Sequence, residues 1–334
     1  NLMKTTRNAY YLWALILALA VFGGCAEGKK KNTTAGGQAS DPVSTDTTTT
    51  SDANTTIAAN NDTDNGDEPK SRGTIGVSLL TFENPFFTVI GDNIEAAAKK
   101  HGYEVKVLSA EQNPEKQNDQ IKDFITSKCV AIVLSPCESR AVGPAIKQAN
   151  EANIPVFTVD IPCNEKGVDI ACQSTTDNYG GGKEAGNAMV EVLGETGGEV
   201  LVLHYFQAES CRLRVKGFTE VIDAHNKTAD NKITVVAEME GGGDREKGNK
   251  ATEDALQSNP NLAAIFAIND PSALGAYAAL EKANKQDQVT IIGFDGQPEG
   301  KQAIKDGKIY ADPIQFPDVM GQEIVKQIVA YYNG

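Results

Sequence analysis

What most constrains this chain is a series of short apolar strands, each leading into a helical pattern, that occurs twice in the same order. In the first series TIGVSLL at 74–80 leads through TFEN into an apolar stripe of Ile90, Ile94, Ala97 and Ala98 at helical spacing. EVKVL at 104–108, VAIVLS at 130–135 and PVFTVD at 155–160 follow as strand candidates. In the second series VLVLHYF at 200–206 leads through QAES into a helix expected from about Cys211 to His225. AAIFAIND at 263–270 then answers AIVLSPCE at 131–138, and VTIIGFD at 289–295 answers IPVFTVD at 154–160. Strands that alternate with helices build βαβ units and parallel sheets, so the fold class is α/β. Two series of this length, rather than a short repeating period, make two lobes of like topology.

Local signals fix the first helix. Asn84 suits an N-cap and Pro85 the first helical position, while Lys99, Lys100 and His101 sit at the electronegative C-terminal end before Gly102.

The segment before the first strand reads differently. Lys4 and Arg7 precede an apolar run from Ala9 to Phe22, followed by Gly23, Gly24 and Cys25. A basic start, a short apolar stretch and small residues make a secretory signal. Its 14 apolar-run residues fall short of the ~20 that span a bilayer as a helix. The small residues before Cys25 resemble a bacterial lipobox, which makes Cys25 the expected lipidation site, although Phe22 stands where that pattern prefers Leu; a plain signal peptide with an incidental cysteine is the alternative. From Ala26 to about Arg72 the chain is Thr, Asp, Asn, Ser and Gly, with only Val43 and Ile57 as large aliphatics. Such a stretch cannot offset its ordering entropy and is expected to be a disordered tether reaching about 35 to 40 Å.

With 45 acidic against 31 basic side chains the formal charge is −14, which excludes nucleic acid as a partner and any membrane attachment other than the lipid. Ligands of open parallel sheets collect beyond the carboxyl ends of the strands. Asn84, Asp160, Arg212, Asn269 and Asp295 all fall at such ends or in the helix turn after them, so facing lobes would bring them to one cleft. Carboxylates, amides and a guanidinium suit a polyhydroxylated molecule: Asp accepts from hydroxyls, Arg donates, Asn does both. Phe86 and Phe87 would lay an apolar face on the C–H side of its ring. Blander readings exist beside these: the Asn and Asp residues as helix caps, one Phe as core, and Arg212 paired with Glu209 on the surface.

The stretches TFENPFF, ANIPVFTVD, FAINDPSALGA, IIGFDGQPEG and QFPDVMG, in this order, resemble the periplasmic sugar-binding proteins of the ribose and galactose type. The resemblance runs from about Thr74 to the C-terminus. It implies two Rossmann-like lobes with parallel sheets joined by a three-stranded hinge, the type I periplasmic binding protein fold, preceded by a signal peptide and tether. On that reading residues 1–25 are signal and lipobox, 26–72 the tether, 74–175 with 316–334 the first lobe, and 176–315 the second. Hinge crossings are expected near Ser174 to Asp177 and near Asp312 to Gln315, with a third beyond Gly334. The implied ligand contacts are Asn84, Phe86, Phe87, Asp160, Arg212, Asn269, Asp295 and Gln315. The resemblance further implies a monosaccharide ligand, an ABC permease and ATPase complex as partner, a periplasmic monomer anchored through Cys25, and neither cofactor nor metal. Leu80, Ile161 and Gly243 stand where ribose binders carry a Ser, an Arg and an aromatic, which points away from plain D-ribose toward a deoxy, methylated or thio-substituted sugar or a polyol.

Alternatives from other classes are a glycosidase using Asp160 and Asp295 as its two carboxylates, and a sensor presenting sugar to a membrane receptor. Arg212 would keep both carboxylates ionised, which disfavours the first. Asp295→Ala is expected to abolish binding with little loss of stability. Cys137 with Cys163, or Cys163 with Cys172, are candidate disulfides of an exported domain. GGGKEAG at 180–186 lacks the Lys-Ser/Thr ending of a phosphate loop and is read as close helix packing. GGGDREKG at 241–248 is read as a flexible loop at the cleft mouth.

Overall fold

The structure, a computed structural model, describes residues 71–333. The signal peptide, Cys25 and all of the tether but its last two residues lie outside the described residues. Two parallel sheets organise the chain. The first contains β1 (Thr74–Leu79), β2 (Glu104–Ser109), β3 (Ala131–Leu134), β4 (Val156–Val159) and β5 (Cys172–Ser174), in the order β2-β1-β3-β4-β5. The second contains β6 (Gly198–His204), β7 (Ile233–Glu240), β8 (Leu262–Ala267) and β9 (Thr290–Ile292), in the order β7-β6-β8-β9. Superposing these orders matches β1 with β6, β3 with β8 and β4 with β9, which is the correspondence the repeated sequence pattern implies. Beside β9 the 311–314 segment adds parallel bridges from Ala311 to Ile292 and from Ile314 to Asp295, in the place β5 holds beside β4.

Helices cover both faces of each sheet: α1 (Pro85–Lys100), α2 (Pro114–Thr126) and α3 (Gly143–Glu151) in the first series, then α4 (Asn178–Leu193), α5 (Glu209–Thr228), α6 (Arg245–Ser258), α7 (Asp270–Lys282) and α8 (Pro298–Lys305) in the second. The last, α9 (Pro317–Asn333), returns to pack on α1, β4 and β5. The chain therefore crosses between the sheets at 175–177 and again at 312–316, and Thr176 Oγ1 donates to Gln315 Oε1 at 2.7 Å to tie the two crossings together. Because interiors of both sheets are continuously apolar, strands such as AIVL and VFTV are buried at every position.

The glycines of GGGKEAG let α4 and α5 approach closely. A Cβ at Gly182 would land on the Arg214 carbonyl oxygen, and one at Gly181 on the Phe294 ring. Gly182→Ala is expected to lower stability by about 2 kcal/mol, the cost of overpacking where only backbone can yield, and to weaken ligand binding because α5 carries Arg214. Chemical denaturation with calorimetry on the same sample checks both. Cys137 and Cys163 remain thiols, which removes both candidate disulfides.

Candidate functional site

Connections at the carboxyl ends of seven strands, β1, β2, β4, β6, β7, β8 and β9, meet between the lobes. Asn84 caps α1 by accepting from Phe86 N at 3.0 Å, and Asn269 caps α7 by accepting from Ser272 N at 3.1 Å. Both are buried and both line one cavity, so the capping role and the cleft position coexist in the same side chains. Phe86 and Phe87, in the first turn of α1, are buried edge to face with centroids 5.3 Å apart and line it too.

Asp160 follows β4 and Asp295 follows β9, at matching places in the two sheets. Each has positive φ, 61° and 110°, which non-glycine residues rarely adopt. Such backbone persists only where the surroundings over-determine it, and it concentrates at functional sites. Here it turns both carboxylates inward. Asp295 Oδ1 accepts from Arg214 Nη1 at 3.1 Å and from Gln315 Nε2 at 2.6 Å. Arg214 is further fixed by Asn178 Oδ1 at 2.8 Å, by the Ile268 carbonyl at 2.6 Å and by the Phe294 ring 4.0 Å from its guanidinium carbon. Asp160 is as deeply buried, yet its Oδ1 has no hydrogen-bond partner among the described residues.

Arg212 is a correction. It was placed at the cleft from its position in the sequence, but its Nε donates to Glu209 Oε2 at 2.6 Å and its Nη1 donates to the Phe206 carbonyl, on a half-exposed face outside the cavity lining. Residues two apart on a helix point about 200° apart, so when α5 buries Cys211, Val215, Phe218 and Ile222 it buries Arg214 and exposes Arg212. The signal was present in the sequence: Arg214 follows Cys211 by three and precedes Phe218 by four, which sets one guanidinium on the apolar stripe. Sequence reasoning also missed Gln112, Tyr205, Ser210 and Cys211, which join Leu80, Ile161 and Gly243 in the lining. Gly242 and Gly243 take left-handed backbone, with φ of 60° and 66°, beside Gly241 N donating to the His204 carbonyl at 2.8 Å, and both line the cavity.

The cavity encloses about 420 Å³ of space between atoms when the solvent at its mouth is included. The lobes close over it. Gln297 Nε2 donates to Asn84 Oδ1 at 3.0 Å, Glu209 N to Ser139 Oγ at 3.0 Å, and Gln112 Nε2 to the Gly242 carbonyl at 3.3 Å. Among the described residues no group of three or more His, Cys, Asp or Glu is placed to hold a metal ion.

Burial raises the Asp160 carboxyl to about 6, against the opposing pull of Arg214. Burial likewise raises Asp295 to about 7, again opposed by Arg214. Behind them Asp270 and Asp312 face each other, and burial pushes both upward. A carboxyl raised above its unfolded value binds more protons folded than unfolded between the two, so its linkage favours folding as pH falls through that window. Buried His204, lowered to about 4 by burial, opposes this as a single group. The empty protein is therefore expected to melt higher at pH 5.5 than at pH 7.5, while a ligand that needs ionised Asp160 and Asp295 binds more weakly at pH 5.5. Calorimetric scans with and without ligand at the two pH values read both signs.

The profile of the periplasmic binding protein domain matches residues 75–334. The ribose import binding protein RbsB of Salmonella typhimurium is 37% identical over 257 residues, covering 77% of this chain and 83% of that protein. The D-apiose import binding protein of Actinobacillus succinogenes is 31% identical over 260 residues, covering 78% of this chain and 82% of that protein. Among solved structures, the myo-inositol binding protein of Caulobacter with bound myo-inositol superposes with a TM-score of 0.72 at 26% identity, covering 78% of this chain and 87% of that one.

Proposed function

Because the chain belongs to the periplasmic binding protein family, we propose that it captures one monosaccharide or derivative between its lobes and delivers it to an ABC importer. It is a binding protein and not an enzyme. One observation carries the choice of ligand class: two matched, backbone-strained carboxylates flank a buried guanidinium in a closed cavity that also presents two Phe rings. Adjacent hydroxyls satisfy such groups, and the C–H face of a sugar ring covers the aromatics.

Affinity for the closed form follows from differential contact. Asn84 and Asp160 belong to the first sheet, Arg214, Asn269 and Asp295 to the second, so a ligand touches both sets only when the lobes are shut. Asp295 reaches the crossings through Gln315, which accepts in turn from Thr176. The protein acts as an extracytoplasmic monomer, and the basic start, apolar run and Cys25 support a lipid anchor.

A thermal-shift screen of pentoses, hexoses and polyols tests this reading. A ligand at one hundred times its Kd adds about 2.7 kcal/mol, a rise of roughly 5 °C or more in Tm. A flat response to every sugar and polyol would sink the proposal.

A further inference from the structure

The cavity lining holds two unlike groups of residues. Asn84, Asp160, Arg214 and Asp295 make one. The other begins at Leu80, just past β1, and ends at Ile161, just past β4; with β3 between them, these strand ends lie about 9 to 10 Å apart. Tyr205 fills the interval from the opposite lobe, because its hydroxyl donates to the Cys137 carbonyl in the turn after β3 at 3.0 Å. Cys211, in the first turn of α5, completes the patch. All four are buried and all four line the cavity.

This group offers almost nothing to a hydroxyl. The Tyr205 hydroxyl spends its one proton on a carbonyl, so it has none left to donate to a ligand. Burial pushes the Cys211 thiol up to about 12, leaving it neutral and a weak donor. Leu80 and Ile161 carry no polar side-chain atom. A hydroxyl set against the patch would be stripped of water without a partner, which costs roughly tenfold to a hundredfold in affinity, whereas a methyl or thioether gains from the same burial.

Resting on the sugar-binding reading above, we infer that the Leu80, Ile161, Tyr205 and Cys211 wall selects a sugar that is deoxygenated, or carries a methyl or alkylthio group, at the position that abuts the wall. The hydroxyl-rich part of such a ligand meets Asp160, Arg214 and Asp295, and its apolar end meets the wall.

Titration calorimetry of the full chain with matched ligands tests this: D-ribose against 5-deoxy-D-ribose and 5-methylthio-D-ribose, and D-galactose against D-fucose. In at least one series the deoxy or methylthio member is expected to bind at least tenfold tighter than its hydroxylated parent. Leu80→Ser, which puts a hydroxyl into the wall, is expected to shrink that ratio several-fold while the protein still melts cooperatively. Parents that bind as tightly as or tighter than every analogue overturn the inference and leave sugar binding standing. If none of these compounds and no other sugar or polyol binds, the sugar-binding reading falls and takes the inference with it.

Discussion

Arg214→Ala is expected to abolish ligand binding, with a loss of at least a thousandfold in affinity, and to destabilise the empty protein by about 3 to 5 kcal/mol, the usual result of removing one partner from a buried ion pair. Five groups depend on this guanidinium: Asp295, Asn178, the Ile268 carbonyl, the Phe294 ring and, through the field it exerts, Asp160. Removing it strands two carboxylates in a site that burial already disfavours. Arg212→Ala, two residues earlier, is expected to change stability by less than about 0.5 kcal/mol, since its partner Glu209 is a partly solvated neighbour one turn away on the same helix. Denaturant melts and calorimetry on the two variants side by side decide the matter; equal effects would mean that the buried and exposed roles are wrongly divided between them. The same network revises the expectation for Asp295→Ala. Loss of binding still follows, but not with little loss of stability, because Arg214 would keep its charge with only Asp160 nearby to balance it. Here too about 3 kcal/mol is expected.

Asp160→Asn should move stability and affinity in opposite directions. Asp160 Oδ1 is buried without a partner, and the raised carboxyl shows that the charged form is unwelcome there. Asn has the same shape, tolerates the left-handed backbone that φ of 61° demands, and carries no charge to desolvate. At pH 7.5 the variant is expected to be more stable than the parent by up to about 3 kcal/mol, as the roughly two pKa units of penalty imply, and to bind its sugar roughly a hundredfold more weakly, since hydrogen bonds to a charged acceptor are the stronger ones. A variant that melts higher and binds as well as the parent would show that Asp160 serves the fold rather than the ligand. The expected trade-off is the general one for a site kept ready at the cost of stability.

Much of this arrangement was legible beforehand because it depends on local order along the chain. Period-two and unbroken apolar runs marked β1, β2, β3, β4 and β6 to within two residues and β8 and β9 to within three, and Asn84-Pro85 and Asn269-Asp270-Pro271 announced their helix starts. β5 and β7 escaped notice. β5 has only three residues, and β7 is half exposed at the sheet edge, so neither needs the strong apolar signature of a central strand. Seven of the eight expected cleft residues do line one cavity; Asn84, Asp160, Asn269 and Asp295 follow from strand order, whereas Gln315 was implied only by the family resemblance.

The sequence by itself thus determined the two-lobed parallel architecture and which strand ends carry polar groups, because propensity, periodicity and capping act within a few residues. That Asp295 pairs while Asp160 stays unpaired, and that Tyr205 crosses the cleft to complete an apolar wall, were decided only by tertiary structure. Those outcomes depend on the rotation of α5 against α4 and on the closing distance between lobes, and both are set by contacts between residues far apart in the chain.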